Sequence, residues 1–378
     1  MRLLYVAESV PNRDPVRGDG SSMIPYEVIR NLPSDVAVTL LTYSGSVELP
    51  DEVRSRCEAV HVLTPRAQRA AILHSLASRF DVGACERATL EAVSTATRLS
   101  RQCDATLMHG PHVLFLANHL YGPMALQTVD PWSKRLRMDS GMVGGWRSYY
   151  RRFKSVAVLQ TERRLPERAR LLTVGAQDAA EWTEALNRPV RSIPNGVEHT
   201  AHTGRKGNSR TVCFVGSLNY GPNIDSVQVL IGKIAPRVWQ RVPEAKFVIA
   251  GRQPTPEVLS LATERVQILA NVPSVTDIFH SADVAVFPDE HGVGIRNSVR
   301  EALAAGLPVV ASPVAAREQD AHPLLTVEED QQALVDHIVH RLTNDRMPTA
   351  DGLSEAATRT WQTVAQEYLE ELDNALRA

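Results

Sequence analysis

The chain has 378 residues, of which 43% are hydrophobic and 22% charged, with a formal net charge of -2; it is too long for one typical core and comfortable for two domains. A pI of about 6.6 leaves no basic footprint for a nucleic-acid partner. The cysteines Cys57, Cys85, Cys103 and Cys213 are scattered, without metal-ligand spacing or disulfide density. No apolar run approaches the roughly 18 residues needed to cross a bilayer, so the expectation is a cytoplasmic protein with reduced thiols and, at most, peripheral membrane contact.

In chain order, Leu3 to Ala7 reads as a strand that starts almost at the N-terminus, which leaves no room for a signal peptide. The loop Glu8 to Ser22 follows, carrying Pro11, Pro15, Gly18 and Gly20; its length is more than a structural connection needs and hints at function. A helix Tyr26–Leu32, a strand Val36–Thr42 and a strand Val60–Leu63 come next, then two helical stretches over Arg66–Arg98. Strand Ala105–Met108 ends in His109-Gly-Pro-His112, and strand Met124–Thr128 ends in Val129-Asp130-Pro-Trp132. Asp130 is the first-domain catalytic candidate, because a carboxylate at a strand's carboxyl end can position or deprotonate a hydroxyl; the alternative is a turn residue ahead of proline. His109 and His112 are further candidates, each with a structural hydrogen-bonded histidine as its alternative. From Gly141 to Arg170 arginines interleave with Trp146, Tyr149 and Tyr150. That pattern fits an anionic acceptor or a membrane surface, or else a solvated helix whose buried face is Phe153, Val156, Val158 and Leu159. Leu171–Val174 closes the domain as its last strand, with a short helix Ala176–Leu186 after it.

Residues 189–210 read as a linker, rich in proline, glycine and small polar side chains. The second domain opens with strand Val212–Val215 and the turn Gly216-Ser217-Leu-Asn219, where glycine lets the backbone pass close to a ligand. Strand Lys246–Ala250 ends at Gly251-Arg252, and Val266–Leu269 at Asn271-Val272. The stretch from Val284 to Pro313, VAVFPDEHGVGIRNSVREALAAGLPVVASP, organises the chain. It reads as strand, glycine loop, helix from about Asn297 to Ala305, glycine stop and strand, a βαβ unit in a parallel sheet. In such a unit the loop after the first strand lies at the ligand-binding edge, and the helix start offers free N–H groups. Arg296 stands at that helix start, where a guanidinium can take a phosphate bidentately. Asn297 and Glu301 share one helix face, and a carboxylate there suits a ribose diol. The reading is a nucleoside-diphosphate site built from Gly292, Val293, Gly294, Ile295, Arg296, Asn297 and Glu301; the alternative is a surface βαβ unit with solvated charges.

The run GVGIRNSVREALAAGLPVVASP resembles the donor segment of retaining GT-B glycosyltransferases of the family-4, or glycosyl transferases group 1, kind, in the branch with a Gly-Gly-x-Arg loop. RLLYVAESVPNRDPVRGDG, IPNGVE at Ile193–Glu198 and CFVGSLNYGPNID at Cys213–Asp225 match in the same order, so the resemblance spans essentially the whole chain. It implies an α/β GT-B fold of two Rossmann-like parallel-sheet domains facing across a cleft. Residues 1–188 would form the acceptor-side domain, 189–210 the linker and 211–359 the donor domain, with a terminal helix over about 360–378 packing back on the first domain.

The resemblance also implies site roles. Gly216, Ser217, Asn219, Arg252 and Val272 would line the nucleotide, and Arg296 and Glu301 would act on the donor. Gly18, Asp19 and Gly20 would face phosphate and acceptor together with His109 and His112. Departures from the family pattern are specific. Ser21 and Ser22 stand for basic residues, and no Arg–Lys pair follows Val215. Val293 replaces both the first glycine of the pair and the first glutamate of a Glu-x7-Glu pair, so the Asp289-Glu290-His291 loop or backbone amides would read the sugar hydroxyls. No Asp-x-Asp motif occurs, which implies metal-independent chemistry with no cofactor beyond a nucleotide-sugar donor. The function implied is transfer of a sugar from a nucleoside-diphosphate sugar to a hydroxyl of a small molecule or saccharide, in bacterial polysaccharide or natural-product biosynthesis. The alternatives are a nucleotide-sugar epimerase or hydrolase on the same fold, and a non-catalytic nucleotide-sugar-binding subunit.

Overall fold

Aliphatic runs that do not alternate in polarity mark strands covered on both faces. Strand β1 (Arg2–Ala7) is of this kind, with every side chain from Leu3 to Ala7 buried. The computed structural model describes residues 1–14, 18, 20–45, 47–78, 80–141, 144–198, 209–292, 295–344 and 359–377. They form two compact units, one of Met1–Arg13, Arg17–Asn195 and Trp361–Ala378, the other of Asp14–Val16 and Gly196–Thr360.

In the first unit β1 is followed by α1 (Gly20–Asn31), β2 (Ala37–Tyr43), α2 (Asp51–Arg54), β3 (Cys57–Leu63), α3 (Gln68–Ala77), α4 (Val82–Arg87), α5 (Leu90–Ser100) and β4 (Ala105–His109). A 3-10 segment Pro111–His119 leads to β5 (Met124–Gln127), α6 (Trp132–Gly141), α7 (Trp146–Glu162), β6 (Ala169–Thr173), α8 (Ala176–Leu186) and β7 (Val190–Ser192). The strands form a parallel sheet in the order β3-β2-β1-β4-β5-β6-β7. Direction of winding reverses between β1 and β4, and in open α/β sheets ligands bind beyond the carboxyl ends of the strands at such a point.

The second unit runs β8 (Thr211–Val215), α9 (Gly221–Val229), a π-helical turn Leu230–Ile234, α10 (Ala235–Arg241), β9 (Lys246–Gly251), α11 (Pro256–Leu259), β10 (Val266–Ala270), α12 (Thr276–Ser281), β11 (Val284–Phe287), α13 (Asn297–Ala304), β12 (Val309–Ala311), β13 (Leu325–Val327) and α14 (Gln331–Thr343). Its parallel sheet is ordered β10-β9-β8-β11-β12-β13, with the reversal between β8 and β11. Helix α15 (Trp361–Arg377) belongs to the first unit, where it lies on α1, β4, β5 and β6 with Trp361, Val364, Tyr368 and Leu372 buried.

Four local expectations change. Helix α1 starts at Gly20, well ahead of Tyr26, and takes Pro25 into its interior. Proline removes the donor that would meet the Ser21 carbonyl, and the Ser9 hydroxyl supplies one at 3.2 Å. The span after β3 holds three helices where two were expected, because Asp81 and Thr89 each cap a new start, accepting from Ala84 N and Ala92 N. Val190–Ser192, expected within the linker, instead pairs with β6 as the sheet's edge strand, so Leu171–Val174 is not the last. Helix α7 does not bury Phe153 and Val156, which are exposed; its inner face is Lys154, Ser155, Val158 and Glu162. Lys154 turns inward because its ammonium caps the end of α3, donating to the Ser75 and Ser78 carbonyls.

Candidate functional site

Two groups of side chains gather at these reversal points, one on each unit. On the second unit, the chain leaving β8 passes under the end of β9 so closely that only glycine fits: a Cβ on Gly251 would lie 1.7 Å from the Gly216 carbonyl oxygen. This contact fixes the turn Gly216-Ser217 beside Arg252, whose Nη2 donates to Ser217 Oγ at 2.9 Å. Asn219 donates to Gln253 Oε1, and the Asn271 side chain accepts from Gln253 N at 2.9 Å, just ahead of a partly buried Val272. Gly216, Ser217, Asn219 and Arg252 thus lie together at the carboxyl ends of β8 and β9.

Helix α13 starts at Asn297, with Arg296 as its N-cap residue and no side-chain cap. Its Val299, Ala302 and Leu303 are buried, which leaves Asn297 and Glu301 partly exposed one turn apart. Ile295 is partly buried just ahead of it, and Gly292 has φ 154°, open to glycine. Val293 and Gly294 lie outside the described residues.

Arg296 is placed differently from the sequence reading. Its Nε and Nη2 meet Asp289 at 2.6 and 2.7 Å, and Nη2 also reaches Asn223 Oδ1 at 2.8 Å. The guanidinium packs over the rings of Phe214 and Phe287, 5.1 and 4.9 Å from their centroids. It is therefore shared with an internal carboxylate, and Nη1 makes only long contacts, 3.4 Å to the Val215 carbonyl and 3.5 Å to Ser298 Oγ. Asp289 is correspondingly removed from the loop expected to read sugar hydroxyls: it is buried, and it also accepts from Ser226 Oγ at 2.7 Å. A buried carboxylate needs a cation and hydrogen bonds to be tolerated, and Arg296 is the near one. Glu290 and His291 stay at the surface, with His291 Nε2 3.0 Å from Asp225. A second guanidinium reaches this loop: Arg317 Nη1 donates to the Gly292 carbonyl at 3.4 Å.

On the first unit the ends of β1, β4 and β5 carry the other group. Gly110 has φ 106°, and a Cβ there would fall 2.2 Å from Glu8 Cδ, so glycine lets the Glu8 side chain cross the end of β4. Glu8 Oε2 accepts from His112 N at 2.8 Å and lies 3.0 Å from its Nδ1, while the ring's Nε2 is 3.2 Å from Asp81 Oδ2. Burial by itself would depress the His112 pKa, but the two carboxylates outweigh it and push it up to about 10. Burial likewise works to raise the Glu8 pKa, and His112 with the Ser21 hydrogen bond brings it down to about 2. The result is an imidazolium held between two carboxylates, with Trp132 edge-on at 4.7 Å and its Nε1 donating to Asp81 Oδ2 at 2.7 Å.

His109 is the opposite case. It is buried, burial pushes its pKa down to about 4, and its Nε2 finds no hydrogen-bond partner among the described residues. A backbone hydrogen bond ties its ring to Gly20 at the start of α1; Gly18 is buried just before, and Asp19 lies outside the described residues. Asp130 follows β5 with Arg135 Nη1 3.4 Å from its carboxylate. Burial raises its pKa and the arginine opposes this. Asp130, His109, His112 and Gly20 therefore meet at one edge. Glu8 and Asp81 were missed; Glu8's place directly after the first strand was a usable signal, whereas nothing in sequence links Asp81 to His112.

Residues 209–344 match the family described as Glycosyl transferases group 1. The chain is 28% identical over 214 residues to a phosphatidyl-myo-inositol mannosyltransferase of Mycobacterium tuberculosis, an alignment covering 50% of this chain and 56% of that protein. It thus spans little more than half the length of the curated relatives it matches. Among solved structures it is similar to Anabaena Alr3699/HepE in complex with UDP and glucose, at 12% identity and a TM-score of 0.63, covering 98% of this chain and 99% of the other. A glycosyltransferase from Rickettsia africae gives 10% identity and a TM-score of 0.66, covering 100% and 98%. These likenesses establish the fold, two parallel-sheet α/β units of the GT-B type.

Proposed function

We propose that this chain, a GT-B protein whose second unit belongs to the glycosyl transferases group 1 family, transfers a sugar from a nucleoside-diphosphate sugar to a hydroxyl of a small-molecule or saccharide acceptor with retention at the sugar carbon. The observation that carries the reading is the arrangement around the β8/β11 reversal: a glycine-only backbone crossing beside Arg252, and the start of α13 preceded by a loop whose Gly292 carbonyl accepts from Arg317. HepE, a neighbour by fold, is described with UDP and glucose, which supports a nucleotide-sugar donor here.

In this reading Glu301 accepts from the ribose diol, and backbone groups near Val272 receive the base. Arg252, Arg317 and the α13 amides neutralise the departing diphosphate, an electrostatic contribution of several kcal/mol without a metal ion. Arg296 acts mainly by holding the Asp289 loop in place. The bond from the sugar's anomeric carbon to the phosphate oxygen breaks, the acceptor oxygen bonds to that carbon, and Asp130 takes the acceptor's proton. Burial of Asp130 raises its proton affinity, which suits a base. The neutral His109 offers its Nε2, without a hydrogen-bond partner among the described residues, to a hydroxyl.

The test is calorimetric titration with UDP, GDP, dTDP and ADP of the wild type and of Arg252→Ala, Arg317→Ala and Glu301→Ala. One nucleotide should bind at micromolar strength, and each variant should lose about tenfold, roughly 1.4 kcal/mol. No binding, or variants equal to wild type, would remove the donor site. Binding without turnover over a broad acceptor panel would favour a non-catalytic subunit.

A further inference from the structure

Helix α7 carries a second apolar face that no described residue of its unit covers. Trp146, Tyr149, Phe153 and Val156 are 70%, 78%, 64% and 60% exposed, and their spacing sets them on one stripe. Lys154, Ser155, Val158 and Glu162 face inward on the other side. Next to the stripe, Tyr150 Oη lies 2.7 Å from Ser75 Oγ and Lys154 Nζ donates to the Ser78 carbonyl at 2.6 Å, which ties α7 to the end of α3. Helix α3 adds its own exposed Ile72, Leu73 and Leu76. An edge contact between Trp146 and Tyr150, with centroids 6.3 Å apart, steadies the indole. Contiguous apolar exposure of this kind marks an interaction surface.

The charge around the patch says what covers it. Arg147 and Arg152 on α7, Arg69 on α3 and Arg137 on α6 are exposed, and neither residues 66–80 nor 140–161 contain an aspartate or glutamate. Two copies of this chain meeting here would set Arg147, Arg152 and Arg69 against one another, with Glu181, beside Arg137 and Val156, the acid at the margin of the patch. A Trp, Tyr and Phe stripe flanked by arginine suits the boundary of a bilayer, with rings at the headgroup level and guanidinium groups on phosphates. We propose that the α3–α7 face docks this protein on a lipid bilayer bearing anionic headgroups. The inference does not depend on the glycosyltransferase reading, since neither donor nor acceptor enters it.

The experiment is co-sedimentation of the full-length protein with phosphatidylcholine vesicles and with vesicles of equal parts phosphatidylcholine and phosphatidylglycerol, at low and high salt. Binding is expected only to the anionic vesicles, weakening as salt screens the arginines. Arg147→Glu with Arg152→Glu should cut partitioning by at least about fivefold per arginine, equivalent to about 1 kcal/mol each. Tyr149→Ser with Phe153→Ser should abolish binding at unchanged circular dichroism, and Trp146→Ser alone should weaken it. Absence of binding to anionic vesicles, or binding that all these variants retain, overturns the proposal. So does a concentration-dependent dimer in sedimentation velocity that the same serine substitutions dissolve, which would assign the face to a second copy.

Discussion

Arg296 decides between two accounts of the second unit, and its replacement by alanine separates them. Asp289 and Arg296 are 8% and 11% exposed and joined through two charge-assisted hydrogen bonds of 2.6 and 2.7 Å. Arg296→Ala leaves Asp289 buried with only the Ser226 hydroxyl at 2.7 Å and Ser312 on its carbonyl. Breaking a buried pair from one side costs about 3–5 kcal/mol, and losing the contact with Phe214 and Phe287 adds about 0.5–2 kcal/mol. The melting temperature of the second unit should fall by about 10 °C. Arg296→Met combined with Asp289→Asn should recover at least about 2 kcal/mol, because no charge is then stranded. Four of the five tryptophans, Trp132, Trp146, Trp182 and Trp361, lie in the first unit, so bulk fluorescence reports mainly on the wrong part. Hydrogen exchange read by mass spectrometry on peptides covering β8, β11 and β12 resolves the right one. If Arg296→Ala leaves exchange there unchanged while nucleotide binding collapses, the guanidinium is a ligand for phosphate and the internal-pair argument is wrong.

Other perturbations follow the same physics. Gly251→Ala forces a carbon into the Gly216 carbonyl, and backbone has no flexible end to yield; the second unit should lose at least about 3 kcal/mol, measured by urea unfolding, and a loss below about 1 kcal/mol would contradict the close crossing. The Glu8–His112 pair gives stability that falls on both sides of neutrality. The folded His112 pKa is raised to about 10, so its contribution is complete below the unfolded value near 6.5 and disappears as pH rises toward 10. Glu8, lowered to about 2, contributes above its unfolded value near 4.3 and loses that as pH drops toward 2. Chemical unfolding across pH should show both slopes shrink in His112→Gln; unchanged slopes would place the pair's energy elsewhere. Asp130→Asn should leave the melting temperature within a few degrees and cut transfer by about 10²-fold or more, whereas full activity would return Asp130 to the role of a turn residue.

The sequence alone determined the layers. Non-alternating aliphatic runs separated by helical spans could bury themselves only as parallel strands covered on both faces. The βαβ reading of residues 284–313 matches β11, α13 and β12 almost residue for residue, because periodicity and glycine punctuation are local properties. Gly216 and Arg252, and likewise His109 and Asp130, were legible as edge residues for the same reason: each ends a strand or follows one within three residues. Which partner a charged side chain chooses was not legible. The sequence put Asp289 and Arg296 into one loop and assigned both to ligand, whereas the fold buries Asp289, lays the Arg296 guanidinium over Phe214 and Phe287, and pairs the two charges with each other. Glu8, Asp81 and His112 come from three separate elements, and only the packing of β1, α4 and the turn after β4 brings them within hydrogen-bonding distance. Lys154 sits where α7 periodicity leaves an inward position, and the carbonyls that make it tolerable belong to α3. Local pattern sets which face a residue joins, while desolvation, which depends on everything stacked upon that face, decides whether a charge there seeks solvent, ligand or an internal partner.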